Sequence, residues 1–372
     1  MGAVTYIFAG GGTGGHLYPG LAIAEQIRRL SGDARVMFLC SDREIDRKVL
    51  EPEGVVFRAL PAKPIGVRPR ALWRFVSNWP ASVRATRAAI RSAREDGGAV
   101  RMVALGGFVA APAVQAARVE RVPVTLVNID AVPGKANRWI ARRSTGRAFT
   151  TYADAAHPAW RTISPIVRSA AAAPRDRTEC RRRLGLDPAR PTLMVTGGSL
   201  GASSINRLMA GMAERSAEAF SLGGWQVIHQ CGNGEAPALE AAYGNAGIRA
   251  VVAEFTREIG VWWGAADLAI ARAGAGSVAE AWCNRVPCVF LPYPYHADDH
   301  QRLNAGPLVD RGAAVVCVDR VEPGPNLDEA GRVIERLLRE PGALRPMAAA
   351  AAGLPPADGA AVVAAFLVQN AG

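Results

Sequence analysis

The stretch that decides the fold is Tyr6-Ile7-Phe8-Ala9-Gly10-Gly11-Gly12-Thr13-Gly14-Gly15-His16-Leu17-Tyr18-Pro19-Gly20. The apolar run Val4 to Ala9 reads as a short buried strand, and Leu21-Ala22-Ile23-Ala24-Glu25-Gln26-Ile27 has helical spacing. A glycine loop joins them. Strand, glycine loop and helix start make an anion site: the glycines let backbone approach a phosphate, and the free N–H groups at the helix start point at it. Thr13 and His16 add polar side chains to the loop. Gly10, Gly12 and Gly15 also satisfy G-x-G-x-x-G, with Asp42 after a second strand, as in a dinucleotide-binding unit.

A second loop of the same kind lies in the other half of the chain, at Val195-Thr196-Gly197-Gly198-Ser199-Leu200-Gly201-Ala202-Ser203. It too follows a strand (Thr192 to Thr196) and opens a helix (Ser203 to Ala217). Around each loop strands and helices alternate. In the first half the strands are Arg35 to Leu39, Val55 to Leu60, Val100 to Leu105 and Val122 to Val127. The helices between them are Asp42 to Leu50, Ala71 to Arg94, Ala110 to Arg118 and Ala136 to Arg142. In the second half strands are expected at Trp225 to His229, Val251-Val252, Leu268 to Ala271 and Cys288 to Leu291. Such alternation implies α/β architecture with parallel sheets covered on both faces. The chain length of 372 residues suits two domains. The expected division is 1–168, a linker at 169–177, a second domain at 178–355 and a final helix at 356–372. Two anion loops, one per domain, suit a ligand held in a cleft between the domains.

The net charge of +11 and pI near 10 favour an acidic partner. There is neither a basic tail nor an aromatic-and-basic RNA-binding signature, so no nucleic-acid partner is expected. Between Gly54 and Arg94 no acidic residue occurs, while Arg68, Arg70 and Arg74 alternate with Leu72, Trp73, Phe75 and Val76. That mixture suits an anionic lipid surface, and equally a solvated helix face whose apolar side is in the core. The six cysteines show no C-x-x-C spacing, which fits reduced thiols. With no charged-then-apolar leader and no run of about 20 apolar residues, the expected location is peripheral, on the cytoplasmic face of the plasma membrane. No metal or cofactor is expected.

Two further stretches could read sugar hydroxyls. In Arg272-Ala273-Gly274-Ala275-Gly276-Ser277-Val278-Ala279-Glu280, small residues at a helix start permit close approach, and Glu280 lies about one turn in. A carboxylate there accepts from two sugar hydroxyls, or simply complements the helix dipole. In Asp298-Asp299-His300-Gln301-Arg302-Leu303-Asn304, Gln301 and Asn304 share a helix face, where neutral amides can read hydroxyls. The two aspartates suit a helix cap better than a metal pair.

Taken together, these motifs resemble those of the cell-wall glycosyltransferases of family 28. Those enzymes add N-acetylglucosamine to undecaprenyl-diphospho-muramoyl-pentapeptide, a peptidoglycan precursor. The resemblance spans most of the chain. It rests on Gly11-Gly12-Thr13-Gly14-Gly15-His16 with Pro19-Gly20, Gly106-Gly107-Phe108-Val109, Gly197 to Ala202, His229-Gln230-Cys231-Gly232, Glu254-Phe255, Gly274 to Glu280, and Asp299-His300-Gln301 with Asn304-Ala305. It implies a GT-B fold, two Rossmann-like domains facing a central cleft, with the last helix crossing back to the first domain. It also implies that the second domain binds UDP-N-acetylglucosamine. Ser199 would meet the diphosphate, backbone near Thr256 the uracil, Glu280 the ribose, Ala275, Gly276 and Ser277 the phosphates, and Gln301 the sugar. Arg168 matches a family arginine at the donor site. Thr13, Gly14 and Gly15 would face the donor from the acceptor domain. His16 is the candidate general base, with an ordinary pKa suited to neutral pH.

The departures from the pattern are specific. Where the family carries His-Glu-Gln-Asn, this chain has Val127-Asn128-Ile129-Asp130, so the acceptor-side glutamate is Asn128 and the sugar-contacting asparagine is Asp130. Ala110-Ala111 replaces Ser-Gly or Ser-Ala, and Leu200 stands where glutamine is common. Asp130 is therefore a second candidate for the base and for substrate contact. The alternatives are another UDP-sugar enzyme of the same fold (a lipid glycosyltransferase or a UDP-N-acetylglucosamine 2-epimerase), a UDP-sugar-binding membrane-surface protein without catalysis, and a nicotinamide dehydrogenase. The last explains only the first glycine loop.

Overall fold

The computed structural model describes residues 3–370, apart from 13, 67, 96, 97, 145, 199, 200 and 296–298. It divides into two compact units: Met1–Arg168 with Asp358–Gly372, and Ser169–Ala357.

The first unit alternates β1 (Thr5–Ala9), α1 (Gly14–Leu30), β2 (Arg35–Ser41), α2 (Glu44–Leu50), β3 (Val56–Leu60), α3 (Pro69–Glu95), β4 (Val100–Ala104), α4 (Gly107–Val119), β5 (Val124–Asn128), α5 (Lys135–Ala141), β6 (Ala148–Thr150) and β7 (Arg161–Thr162). Its seven strands run in the order β3-β2-β1-β4-β5-β6-β7, and every pairing is parallel. β1 and β5 are buried along their whole length. Helices cover both faces, which is why those segments read as unbroken apolar runs. The chain winds outward from β1 in two directions, through β2 on one side and β4 on the other. The gap between the loops after β1 and β4 is thus the topological switch point, where open α/β sheets take their ligands.

The second unit contains α6 (Arg177–Arg183), β8 (Thr192–Thr196), α7 (Ser203–Arg215), α8 (Ala217–Leu222), β9 (Gln226–Gln230), α9 (Ala236–Asn245), β10 (Ala250–Ala253), α10 (Ile259–Ala265), β11 (Leu268–Ala271), α11 (Ala275–Asn284), β12 (Cys288–Phe290), α12 (His300–Val309), β13 (Ala314–Val316), α13 (Pro323–Asn326), α14 (Arg332–Arg339) and α15 (Pro341–Ala352). The parallel order is β10-β9-β8-β11-β12-β13, with its switch point between β8 and β11. Residues 169–177 belong to this unit and are tied down within it. The Asn284 side chain takes the Ala171 carbonyl at 2.9 Å and the Ala173 N–H at 2.7 Å. Gly260 passes so close to the Ala172 carbonyl that a Cβ would stand 2.4 Å from it.

The last helix, α16 (Gly359–Gln369), is part of the first unit and packs along α1. Gly359 starts it against the Ser164 and Pro165 carbonyls, Phe366 meets Phe149 edge-on at 5.2 Å, and the Tyr6 hydroxyl donates to the Leu367 carbonyl at 3.4 Å. α3 is divided in use. Its buried residues, Ser82, Thr86, Ala89, Ile90 and Ala93, all lie in the C-terminal half. Near its start Leu72, Trp73 and Val76 are 48 %, 70 % and 58 % exposed. Among the described residues no helix is long and apolar enough to cross a membrane.

One buried cluster in the second unit fixes the strand ends. His229 on β9 is fully buried, its Nδ1 2.9 Å from the Tyr243 hydroxyl and its Nε2 3.0 Å from Asn206 Oδ1. Asn206 in turn donates to the Cys231 carbonyl at 2.9 Å. Burial pushes the His229 pKa down to about 3.

Two predictions follow from this packing. Leu367→Ala should remove about 2–4 kcal/mol from the first unit and leave the second unit's transition in place, as read by denaturant unfolding with a probe in each unit. In acid, unfolded chain protonates His229 near pH 6.5 while the folded site stays neutral down to about pH 3. Stability of the second unit is then intact above pH 6.5 and falls with decreasing pH, by up to about 1.4 kcal/mol per pH unit. His229→Gln should flatten that slope in urea titrations between pH 7 and 4.

Candidate active site

In the first unit the loop after β1 is held from beneath by a carboxylate. Asp46, on α2, is fully buried. Its two oxygens each lie 2.9 Å from the Gly12 N–H, and Oδ2 also accepts from the Ser41 N–H at 2.8 Å and the Ser41 hydroxyl at 2.6 Å. Arg43 donates to the Gly12 carbonyl at 3.0 Å and lies over the Phe108 ring. Gly12 has φ +92, and a Cβ there would stand 2.5 Å from Phe108, so no other residue fits without displacing that ring. Sequence reasoning missed Asp46, because an acidic residue in the first turn of a short helix looks like a solvated charge. Its signal is its place just beyond the end of a strand adjacent to a glycine loop.

Gly14 and Gly15 form the first turn of α1, and His16 follows. Thr13 lies outside the described residues. The His16 ring packs beside Gly107, in the loop after β4. It is therefore at the switch point. Its Nδ1 is buried with no hydrogen-bond partner among the described residues. Burial lowers its pKa; the Asp130 and Asp46 carboxylates and the Leu105 carbonyl pull the other way, and burial prevails. The imidazole is thus neutral at pH 7, the form that accepts a proton.

Asp130 follows β5 and is half-buried; its charge acts on both His16 and Tyr152, so the two base candidates are neighbours. Asn128, at the end of β5, organises that corner. It donates to the Asp130 carbonyl at 2.7 Å and the Thr150 hydroxyl at 3.2 Å, and accepts from Asn137 at 2.9 Å. Arg168 also belongs to this unit. It pairs with Glu53 and lies 4.3 Å from the centroid of the Tyr18 ring.

In the second unit Gly201 turns the second loop with φ +74, its Cα so near β9 that a Cβ would meet the Cys231 carbonyl at 2.4 Å. Ser199 and Leu200 lie outside the described residues, as does Asp298. Across the switch point, Ala275, Gly276 and Ser277 make the first turn of α11, with Gly274 as N-cap, no side-chain cap and no acidic residue. Open N–H groups at the start of a ten-residue helix attract an anion. Glu280 stands one turn further in, one oxygen accepting from Trp263 Nε1 at 2.9 Å, which fixes the plane of the carboxylate. Thr256 caps the approach to α10, its hydroxyl accepting from the Glu258 N–H at 3.0 Å. On α12, Gln301 Oε1 accepts from the Tyr293 N–H at 2.8 Å, and buried Asn304 donates to the Ala273 carbonyl at 3.3 Å. The structure thus gathers Ala275, Gly276, Ser277 and Glu280 on one helix, with Gln301 on the helix that follows β12. Among the described residues no group of three or more His, Cys, Asp or Glu could hold a metal.

Comparison with known proteins identifies the family of the chain. Residues 6–148 match the glycosyltransferase family 28 N-terminal domain, and residues 192–363 match the family's C-terminal domain. A Nocardioides protein named UDP-N-acetylglucosamine–N-acetylmuramyl-(pentapeptide) pyrophosphoryl-undecaprenol N-acetylglucosamine transferase is 35% identical, over 95% of this chain and 94% of its own. A Clavibacter sepedonicus protein of the same name is 35% identical over 98% and 96%. Among solved structures, Acinetobacter baumannii MurG superposes with a TM-score of 0.70 at 24% identity, over 99% of this chain and 100% of its own. A putative UDP-N-acetylglucosamine 2-epimerase from Listeria monocytogenes shares the fold at TM-score 0.65 and 15% identity. With both family domains matched in order, and relatives alike over nearly their whole length, the chain belongs to glycosyltransferase family 28.

Proposed function

We propose that the protein is an inverting N-acetylglucosaminyltransferase. It moves N-acetylglucosamine from UDP-N-acetylglucosamine to the 4-hydroxyl of a lipid-linked N-acetylmuramoyl-pentapeptide. The observation that carries this reading is the full-length match to relatives named for that transfer, in a chain whose two sheets each end in a glycine loop at the switch point. The second unit takes the donor: the start of α11 receives the diphosphate and Glu280 the ribose. The first unit takes the acceptor.

In the reaction the acceptor oxygen bonds to the anomeric carbon as the bond from that carbon to the UDP oxygen breaks on the opposite face. Negative charge grows on the departing diphosphate, where open helix-start N–H groups stabilise it without reorganising. The acceptor hydroxyl proton passes to a base. A neutral His16 with a buried, unpartnered Nδ1 suits that task, and the adjacent Asp130 carboxylate stabilises the imidazolium that results. A 2-epimerase would act on the donor alone, so the requirement for a lipid acceptor separates the two activities.

Membrane docking falls to the start of α3. Exposed Leu72, Trp73 and Val76, set among Arg68, Arg70 and Arg74, suit insertion among anionic headgroups. Further along the same helix, Arg87, Arg91 and Arg94 are instead occupied by Glu120.

Radiolabel from UDP-N-acetylglucosamine should move to a lipid-linked muramoyl-pentapeptide and release no free sugar when the acceptor is left out. His16→Ala should lower kcat by about 10²–10⁴-fold and Asp130→Asn by less. A parental rate for His16→Ala removes it as the base. Separately, Trp73→Glu should weaken cosedimentation with phosphatidylglycerol vesicles and raise KM for the lipid acceptor, with KM for the donor unchanged. Equal vesicle binding by both proteins would place the membrane contact elsewhere.

A further inference from the structure

Three strand ends of the second sheet and one helix start are joined through one ion pair that no sequence motif announces. Arg272 follows β11. Its Nη1 donates to the Leu291 carbonyl at 2.8 Å, the Pro292 carbonyl at 3.1 Å and Asp319 Oδ2 at 2.6 Å. Its Nη2 donates to the Ser204 hydroxyl at 2.7 Å. Ser204, in the first turn of α7, donates its hydroxyl hydrogen bond to Asp319 Oδ2 at 2.6 Å. The other oxygen of Asp319 accepts from the Val321 N–H at 2.8 Å and Asn326 Nδ2 at 2.9 Å. The Asp319 side chain has no solvent exposure, and that of Arg272 has 11 %. Burial opposes ionisation of Asp319. The hydrogen bonds from Asn326, Ser204, Val321 and Arg272 more than offset it and hold the carboxyl below its usual range.

The elements joined border the switch point between β8 and β11. Arg272 begins the loop after β11 and reaches the start of α7, which follows the loop after β8. Through Leu291 and Pro292 it holds the chain leaving β12, and the next residue, Tyr293, is held by Gln301. Through Ser204 it holds the first turn of the helix that opens from the second glycine loop. A planar guanidinium meets these four acceptors at once, which a lysine ammonium cannot. Arg272 needs a counter-charge to stay buried, and Asp319 supplies it from beyond β13.

We propose that Asp319 is a positioning residue for the nucleotide-sugar donor, fixing through Arg272 the β12–α12 segment and the start of α7 against which the donor seats. This role rests on the reading of the second unit as the donor unit. Asp319 does not touch the donor. Its effect is transmitted by placement, and misplacement of about 1 Å in a binding constellation costs on the order of 10²-fold.

The test is UDP binding by calorimetry together with steady-state kinetics on the full chain, for the parent, Asp319→Asn and Ser204→Ala. Asp319→Asn keeps the shape but turns an amide towards Arg272. It should weaken UDP binding and raise the donor KM by about 10-fold or more, with the acceptor KM within about twofold. Ser204→Ala keeps the ion pair and removes one acceptor of four, so about threefold is expected in the same two readouts. It carries the test if Asp319→Asn does not fold. Arg272→Lys, which cannot meet all four acceptors, should weaken UDP binding as Asp319→Asn does. Parental UDP affinity and donor KM in the folded variants overturn this role, as does an equal rise in donor and acceptor KM, which marks general loss of structure. A parent protein that binds no UDP overturns the donor reading itself, and this role with it.

Discussion

A glycine loop that offers its helix-start N–H groups to a ligand must have its other polar groups satisfied from within the protein. Backbone amides left unpaired and dry cost about 1–3 kcal/mol each. The first unit meets this constraint with Asp46, whose oxygens take the Gly12 N–H and both donors of Ser41, while Arg43 takes the Gly12 carbonyl. Remove that carboxylate and the loop after β1 loses the anchor on its inner side. The glycines then confer freedom without a defined position. The second unit solves the same problem with neutral groups. Thr196 takes the Gly198 N–H at 3.0 Å, and Asn206 takes the Cys231 carbonyl against which Gly201 packs. Charge enters one layer further out, in the Arg272–Asp319 pair.

This arrangement explains which parts of the fold can be read from sequence. β1, β4, β5 and β8 are buried on both faces, so they stand out as apolar runs, and the glycine loops and helix starts follow from them. β6, β7 and β13 are three, two and three residues long, too short for any periodicity to register. The helix expected from Ser203 to Ala217 stops at Arg215, and α8 begins a separate turn after Ser216. Alanine, proline and arginine made residues 169–177 look like an open linker. Contacts with Asn284 and Gly260, distant in sequence, draw the start of that segment into the second unit. The site divides the same way. That Ala275, Gly276, Ser277 and Glu280 share one helix is legible in the sequence, whereas Asp46 and Asp319 act through partners 34 and 47 residues away.

The corner around Asn128 shows why two departures from the family pattern belong together. The resemblance aligns Asn128 and Asp130 with a family glutamate and asparagine, and on that alignment carboxylate and amide have exchanged places. Asn128 donates to the Asp130 carbonyl and the Thr150 hydroxyl while accepting from Asn137. A carboxylate at 128 could accept from Asn137 but could not donate to the Asp130 carbonyl. With the amide at the strand end, the buried network is neutral, and the negative charge sits two residues on, where it acts on His16. Asp130, Asp46 and the Leu105 carbonyl all raise the His16 pKa against burial, and an amide at 130 would leave only the last two to do so. The charge that acts on the imidazole thus belongs to residue 130, and the neutral hydrogen-bond network to residue 128.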